Sequence, residues 1–300
     1  MRIEGAITPM VTPIGENAAV STDSLASFTE FLVENGVDYL FPCGSIGEFP
    51  SFTQEEQITI METVIRHAGE TPVLVGCGGT SLKEVRTLIT EAEALGADAA
   101  VVVTPYYFKP KPEGVCSYYE KLLSDTDLPI IIYEIPAFAK TELPIETVVE
   151  LSQHDQIIGI KDSTGDIVHH QKLLEETPED FSVLQGQTKH LMASLDLGAD
   201  GFVASPLNVF PEPVSEIYTA YSDGDRERAR RLWDLFCRPI VSAIEGQSTA
   251  AALKYLLQKQ GYTNGTPVLP LQSPNELEQD ELDRVHDELT SAANQLTTEL

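Results

Sequence analysis

The 300-residue chain is 42% hydrophobic and carries 47 acidic against 19 basic side chains, a formal net charge of -28 at pH 7. So acidic a surface repels nucleic acid and anionic membranes, and no run of 18 apolar residues occurs, so we expect neither a nucleic acid nor a membrane as a partner. The length suits one barrel-sized domain with an appendage, or two smaller domains.

The N-terminus and the cysteines favour a cytoplasmic protein. The first residues are predicted to enter a strand without the apolar h-region of a signal peptide. The four cysteines are widely spaced and form no CxxC pair, which suits a reducing compartment and gives no zinc or disulfide signal. His169 and His170, neighbours on a predicted helix, would point in different directions, so no metal site is predicted.

The acid excess is spread along a chain whose apolar periodicity indicates a folded protein. We therefore hypothesise a halophilic origin, because a high-salt cytoplasm favours such a composition. A steep loss of stability at low salt would support this hypothesis, and full stability in dilute buffer would count against it.

Short apolar runs alternate with amphipathic segments at the repeat length of a (β/α)8 barrel. The runs are rich in β-branched residues, as in fully buried parallel strands. Helix starts are marked by Thr22 or Asp23, by the capping box of Thr53 and Glu56, and by Ser81. The predicted strands cover residues 5–13, 37–41, 72–75, 99–103, 128–133, 157–161, 181–184 and 201–204, and the predicted helices between and after them cover about 22–34, 53–67, 81–95, 113–124, 144–152, 166–176, 190–197 and 206–221.

The chain after residue 225 has no strand signal. We therefore assign residues 1–225 to an α/β (β/α)8 TIM barrel and residues 226–300 to a C-terminal helical extension. The predicted helices of the extension cover about 226–244, with an interruption near Pro239, then about 248–260, and the stretch from about 275 onward.

The fifth and sixth predicted strands each end in a reactive side chain, Tyr133 and Lys161. A strand–helix–strand unit places two strands parallel and usually adjacent, so the phenol and the amine would stand side by side at the carboxyl ends. Burial disfavours the ammonium form, lowers the pKa and frees the amine to attack a carbonyl, which makes Lys161 a candidate Schiff-base nucleophile. For a lysine taken alone, the commoner explanation is that it marks the point where a strand meets water.

Glycines bracket the turn after the second predicted strand, at Gly44 and Gly47. The backbone N–H groups of this turn, including that of Ile46, and the Ser45 hydroxyl could hold a carboxylate, although an ordinary strand–helix turn would look similar. A carboxylate-holding turn, a phenol and a lysine on one rim are what a Schiff-base enzyme acting on a 2-oxo acid needs.

Further candidate substrate-binding residues lie at other strand ends. Tyr107 could supply a hydroxyl or pack in the core or at an interface, and Gly186 leaves room for a ligand close to the backbone. Val203 and Ser205 flank the end of the eighth predicted strand. An anion site is possible at Lys109 and Lys111, although a solvated loop is the commoner explanation.

Four short motifs carry a resemblance to a known family: Gly44-Ser45-Ile46-Gly47-Glu48, Thr104-Pro105-Tyr106-Tyr107, Tyr133-Glu134-Ile135-Pro136 and Gly159-Ile160-Lys161-Asp162-Ser163. Over essentially its whole length the chain resembles the N-acetylneuraminate lyase / dihydrodipicolinate synthase superfamily of pyruvate-dependent class I aldolases. The first motif matches the GxxGE turn of that family.

The resemblance implies roles for several residues. Lys161 would form the Schiff base, Tyr133 would act as acid and base, and Ser45 and Ile46 would bind the substrate carboxylate. It also implies no metal, no cofactor beyond the covalent imine, and usually a homotetramer. In some members, a tyrosine at the position of Tyr106 or Tyr107 reaches into the site of a neighbouring subunit.

Departures from the family pattern narrow the choice of member. Dihydrodipicolinate synthases carry an arginine for the aldehyde substrate's carboxylate where this chain has Phe138, and a second threonine where it has Ile46. Sialic acid lyases hold sugar hydroxyls with acidic residues where this chain has Thr188 and Lys189. What remains resembles 2-keto-3-deoxygluconate aldolases, and the residues that could help with a phosphorylated substrate are Lys109, Lys111 and Lys189.

The leading hypothesis is therefore reversible cleavage of 2-keto-3-deoxygluconate, or its 6-phosphate, to pyruvate and glyceraldehyde or its phosphate. Tyr133 would take the C4 hydroxyl proton, assisted by the substrate carboxylate or Ser45. The alternatives are a 4-hydroxy-tetrahydrodipicolinate (dihydrodipicolinate) synthase, a sugar-acid dehydratase that uses the same imine, and a barrel retained only to bind a 2-oxo acid. The partners predicted are thus a small 2-oxo acid, an aldehyde and other copies of the chain.

Overall fold

Eight parallel strands form a closed ring in the structure, a computed structural model that describes residues 1–124 and 126–299, the last three by their backbone alone. The strands follow the order β2-β1-β8-β7-β6-β5-β4-β3. A parallel bridge from Leu40 to Val73 closes the ring between its two ends. The predicted (β/α)8 barrel is therefore confirmed. The strands are β1 (Gly5–Pro9), β2 (Tyr39–Phe41), β3 (Leu74–Gly76), β4 (Ala99–Val103), β5 (Ile130–Glu134), β6 (Ile157–Asp162), β7 (Ser182–Gln185) and β8 (Gly201–Val203).

Helices follow each strand and pack around the ring. The predicted capping box of Thr53 and Glu56 is present, and Ser81 caps its helix by accepting a hydrogen bond from the Glu84 N–H. Ser21, rather than Thr22 or Asp23, is the N-cap residue of the first helix. The helices are α1 (Thr22–Glu34), α2 (Gln54–His67), α3 (Leu82–Leu95), α4 (Pro112–Leu123), α5 (Pro136–Ala139), α6 (Ile145–Leu151), α7 (Ile167–Glu176), α8 (Leu191–Leu197) and α9 (Pro211–Ser222).

The first strand is shorter than predicted, because its partners change after Pro9. The Met10 N–H still donates to the Phe41 carbonyl, at 2.9 Å. The next N–H, that of Val11, instead donates to the Asn208 side chain at 3.0 Å. A side chain thus replaces the neighbouring strand, and the segment predicted as strand 10–13 is irregular.

The remaining helices form the C-terminal part of the chain. The interruption predicted near Pro239 takes the form of a π-helical turn, Trp233–Cys237, in which the Arg238 N–H reaches back to the Trp233 carbonyl. The last helix buries Leu282 and packs on the two helices before it. The division at residue 225 stays a prediction. These helices are α10 (Arg226–Leu232), α11 (Arg238–Ala243), α12 (Thr249–Lys259) and α13 (Glu276–Glu299).

Side chains alternate between the barrel interior and the helix layer along each strand. Consecutive residues at the carboxyl ends of β5 and β6 therefore serve two different environments. None of the helices among residues 1–124 and 126–299 combines the length and the apolar character needed to cross a bilayer.

Candidate active site

Lys161 and Tyr133 lie side by side inside the mouth of the barrel. They are register partners on the neighbouring strands β6 and β5, as the sequence predicted. The Lys161 Nζ lies 3.8 Å from the centroid of the Tyr133 ring and 4.9 Å from that of Phe41. Lys161 is 6% exposed and Tyr133 4% exposed. The amine is thus enclosed by two aromatic rings rather than hydrated, unlike a lysine that marks a strand end in water.

This environment makes the amine a better nucleophile. Burial lowers the pKa of Lys161 from its ordinary value of 10.5, and the hydrogen bond and charge of Tyr133 only partly oppose the effect. In a larger fraction of the molecules the Lys161 amine is therefore neutral near pH 7, and only the neutral amine has the lone pair that attacks a carbonyl.

The rate of imine formation with pyruvate should rise with pH and then level off, and the midpoint of the rise should lie below pH 10.5. The reason is that the amine is protonated and inert below its lowered pKa and neutral above it. The rate constant for trapping by cyanoborohydride, measured from pH 6 to 10, tests this expectation. A midpoint at or above that of free lysine would contradict it.

The turn after β2 brings a hydroxyl to the same mouth. The Ser45 Oγ lies 3.3 Å from the Tyr133 hydroxyl, close enough for a proton to pass between them. The turn is closed by the Glu48 N–H, which donates to the Ser45 carbonyl at 3.1 Å. A Cβ on Gly47 would lie 3.0 Å from the Met10 carbonyl and one on Gly44 3.1 Å from the Phe41 ring, so a side chain at either position would force its neighbours to move. Ile46 is half-buried against the core and supplies no hydroxyl.

Gly186 lies against the protein's own atoms on the side where a Cβ would project. A Cβ at this position would lie 2.0 Å from the Ser163 Oγ and 3.2 Å from the Lys161 Cε. The space that a side chain would take is thus filled by the protein's own atoms, and Gly186 allows β7 to approach β6 closely enough to pack against the stem of Lys161. A ligand close to the Gly186 backbone stays a prediction.

Tyr107 is not part of the enclosed mouth of its own barrel. It is 85% exposed and packs edge-on against the neighbouring Phe108 ring, at 5.2 Å between centroids. Its φ of +76° lies in the left-handed region, which is costly for a residue with a side chain. The Tyr107 hydroxyl is therefore not placed in the site of its own subunit, and only the contact across subunits, implied by the resemblance, remains a prediction.

The other candidate residues divide into buried and exposed groups. Val203 ends β8, and both it and Ser205 are buried. The three lysines suggested for a phosphate are all exposed on loops or next to a helix start, and their role stays a prediction; they are Lys109, Lys111 and Lys189.

Sequence reasoning missed a layer of charged groups behind the site. Glu134, next to Tyr133, faces the opposite side of its strand, accepts a hydrogen bond from the Leu143 N–H at 2.7 Å and lies 3.1 Å from the His169 Nε2. Burial lowers the pKa of His169, but the hydrogen bond and charge of Glu134 outweigh it and raise the pKa above 6.5. By accepting the hydrogen bond from the Leu143 N–H, the Glu134 carboxylate fixes the loop that follows α5.

Asp162, next to Lys161, belongs to a second buried group of hydrogen-bonded side chains. It lies 2.9 Å from the His170 Nδ1, and the His170 Nε2 lies 2.7 Å from the Ser194 Oγ. This order of serine, histidine and aspartate resembles a hydrolase triad, but all three side chains are buried and no substrate could reach the serine. These hydrogen bonds instead connect α7 and α8 to the strand that carries Lys161.

Among the described residues, Glu134, Asp162 and His169 bring possible ligand atoms within 4.8 Å of one another. The four carboxylate oxygens already face protein donors, so a metal ion would have to displace them. His169 and His170 point to different carboxylates, as their neighbouring positions on the helix predicted, and the two carboxylates lie on the adjacent strands β5 and β6. The absence of a metal stays a prediction.

Comparison with known proteins places this arrangement in a family. The sequence profile of the Dihydrodipicolinate synthetase family matches residues 2–291. The chain belongs to this family. Its members are lyases with a Schiff-base lysine, so the protein is an enzyme of the class I aldolase type.

Individual relatives agree with this family. The 4-hydroxy-tetrahydrodipicolinate synthase of Bartonella bacilliformis is 34% identical over 271 residues, which cover 90% of this chain and 92% of that protein. The structure of the same-named enzyme of Methylacidiphilum fumariolicum SolV superposes with a TM-score of 0.94 at 27% identity and covers 99% of both chains. YagE, a prophage protein of E. coli K12 solved in complex with pyruvate, gives 0.91 at 28% identity over 96% of this chain and 99% of that one.

Proposed function

We propose that the protein catalyses the reversible aldol cleavage of 2-keto-3-deoxygluconate, or its 6-phosphate, to pyruvate and glyceraldehyde or its phosphate. The observation that carries this proposal is the buried Lys161 amine, 3.8 Å from the Tyr133 ring, whose hydroxyl lies 3.3 Å from the Ser45 Oγ. A buried amine and a positioned phenol are the groups that aldol chemistry through an imine needs.

In the condensation direction, the Lys161 amine adds to the ketone carbon of pyruvate and water leaves, giving the imine. The methyl group of the protonated imine then loses a proton to the Tyr133 oxygen, which gives the enamine. The enamine carbon attacks the aldehyde carbon, and the aldehyde oxygen takes that proton back from Tyr133. Water then hydrolyses the new imine, which releases the 2-oxo-4-hydroxy acid and the free amine. Cleavage follows the same steps in reverse, and no further cofactor is proposed.

Phe138 is the basis for choosing an aldehyde without a carboxylate. It lies on α5, directly after the strand that carries Tyr133, and is 70% exposed. A phenyl ring there offers no charge to a carboxylate, whereas the arginine expected in a dihydrodipicolinate synthase would. The second candidate is nevertheless 4-hydroxy-tetrahydrodipicolinate synthase, because relatives with 31–35% identity carry that name.

Pyruvate should be assayed separately with glyceraldehyde, glyceraldehyde 3-phosphate and aspartate semialdehyde, and we expect a preference for one of the first two. The Phe138→Arg substitution should shift the ratio of kcat/KM toward the semialdehyde by about 10- to 100-fold, the value of a charge-assisted hydrogen bond. Phe138→Met is the matched control, because it removes the phenyl ring without adding a charge. A wild-type enzyme that prefers the semialdehyde would replace the first candidate by the second.

We also propose a cytoplasmic homotetramer. The exposed pair of Tyr107 and Phe108, with the left-handed backbone at Tyr107, supports a contact with another subunit, since burial there would offset the exposure of two aromatic rings. Sedimentation of the wild type and of Tyr107→Ser/Phe108→Ser tests the assembly, and a monomeric wild type would exclude it.

A further inference from the structure

A fully buried ion pair joins the C-terminal helices to the mouth of the barrel. The Lys254 Nζ, on α12, lies 2.9 and 3.2 Å from the two carboxylate oxygens of Glu48. The Val268 N–H donates to the same carboxylate at 2.7 Å. Both charged side chains are fully buried. Burying two charges is costly, and an apolar pair of similar size often stabilises a fold equally well, so stability alone does not explain this arrangement.

The position of Glu48 points to another role. It directly follows the turn Gly44–Gly47 and has a φ of +58°, in the left-handed region that residues with a side chain rarely adopt. In this conformation its N–H closes the turn on the Ser45 carbonyl at 3.1 Å. The Glu48 backbone therefore determines how the turn presents its remaining N–H groups and the Ser45 hydroxyl.

Two sets of contacts hold the turn. In the first, the Thr12 hydroxyl donates to the Gly47 carbonyl at 2.9 Å. In the second, the Glu48 carboxylate is held by Lys254 and Val268, which belong to the C-terminal part of the chain. Lys254 is fixed in turn, because its own carbonyl accepts a hydrogen bond from the Thr263 hydroxyl at 2.7 Å.

We propose that Glu48 and Lys254 are positioning residues whose ion pair holds the turn Gly44–Gly47 in the shape that binds the substrate carboxylate. The C-terminal helices thereby become part of the binding apparatus rather than an appendage. The proposal rests on the proposed function in one respect, that the substrate is a 2-oxo acid whose carboxylate occupies this turn. Neither residue contacts the reacting carbon, so binding should suffer more than chemistry.

The test measures cyanoborohydride trapping of pyruvate over a range of pyruvate concentrations, which separates the half-saturating concentration from the limiting rate. Lys254→Met should raise the half-saturating concentration by about tenfold or more and change the limiting rate by less than about threefold. Glu48→Met/Lys254→Met removes both charges and should recover thermal stability if the single variant is too unstable to assay, but it should keep the raised concentration.

Arg2→Met is the matched control. It breaks the ion pair of Arg2 with the buried Asp200 at the opposite, amino-terminal mouth of the barrel, and should leave both trapping parameters unchanged. The positioning role is overturned if the Lys254 variants keep the wild-type half-saturating concentration, or if Arg2→Met raises it equally. A wild type that traps no pyruvate at all would instead overturn the proposed function, so the two failures are distinguishable.

Discussion

Replacing Lys161 with methionine should abolish the covalent trapping of pyruvate by borohydride and lower turnover by at least about 10⁴-fold, because the amine is the group that forms the imine. Methionine fills the same slot between β6 and Gly186 but has no nucleophile. Since the substitution removes a buried amine, the thermal midpoint should stay the same or rise. Intact-mass spectrometry after treatment with pyruvate and borohydride checks the loss of trapping, and the rate of aldehyde release checks the loss of turnover.

The matched control is Lys172→Met, which removes an exposed lysine from α7, the helix that follows β6. It should trap one pyruvate per chain at the wild-type rate. An adduct that persists in Lys161→Met and disappears in another lysine variant would show that a different amine reacts. Activity without any adduct in the wild type would remove imine chemistry altogether.

Local and periodic features of the fold could be predicted from the sequence. The apolar runs placed all eight strands, and strand–helix–strand order placed Tyr133 beside Lys161, because parallel neighbours bring their carboxyl ends to the same rim. The Thr53 capping box could also be predicted, since both of its partners lie within one helical turn. The first strand ends four residues earlier than predicted, where the Asn208 side chain replaces a strand partner, and the other strand ends shifted by two residues or fewer.

Contacts between distant residues could not be predicted. Phe41 reads only as the apolar end of β2, and nothing in its neighbourhood indicates that its ring lies 4.9 Å from an amine on β6. Glu48 and Lys254 are 206 residues apart, so their pairing follows from how α12 packs on the barrel. The packing of Gly186 against Ser163 and Lys161 could not be predicted either, because a sequence does not reveal which side chain fills the room that a missing Cβ leaves.

Replacing Tyr133 with phenylalanine should lower turnover by about 10²- to 10⁴-fold, the range for removal of a positioned acid–base group. The ring should keep its place, because it packs edge-on against Phe41 at 6.4 Å between centroids and covers the Lys161 amine. Pyruvate should therefore still be trapped, more slowly, while carbon–carbon bond formation is lost. Single-turnover trapping and steady-state aldol assays together separate these two steps.

The pH dependence gives an independent check on the same variant. In the wild type, the charge and hydrogen bond of Tyr133 raise the pKa of Lys161 against the lowering by burial. Without the hydroxyl only burial remains, so the midpoint of the trapping profile should move to lower pH in Tyr133→Phe. Ser45→Ala, which removes a hydroxyl 3.3 Å from that of Tyr133 but leaves the lysine environment intact, should lower turnover with no such movement. If Tyr133→Phe retains turnover within about threefold of the wild type, another group moves the proton, because a lost acid–base group costs far more than that.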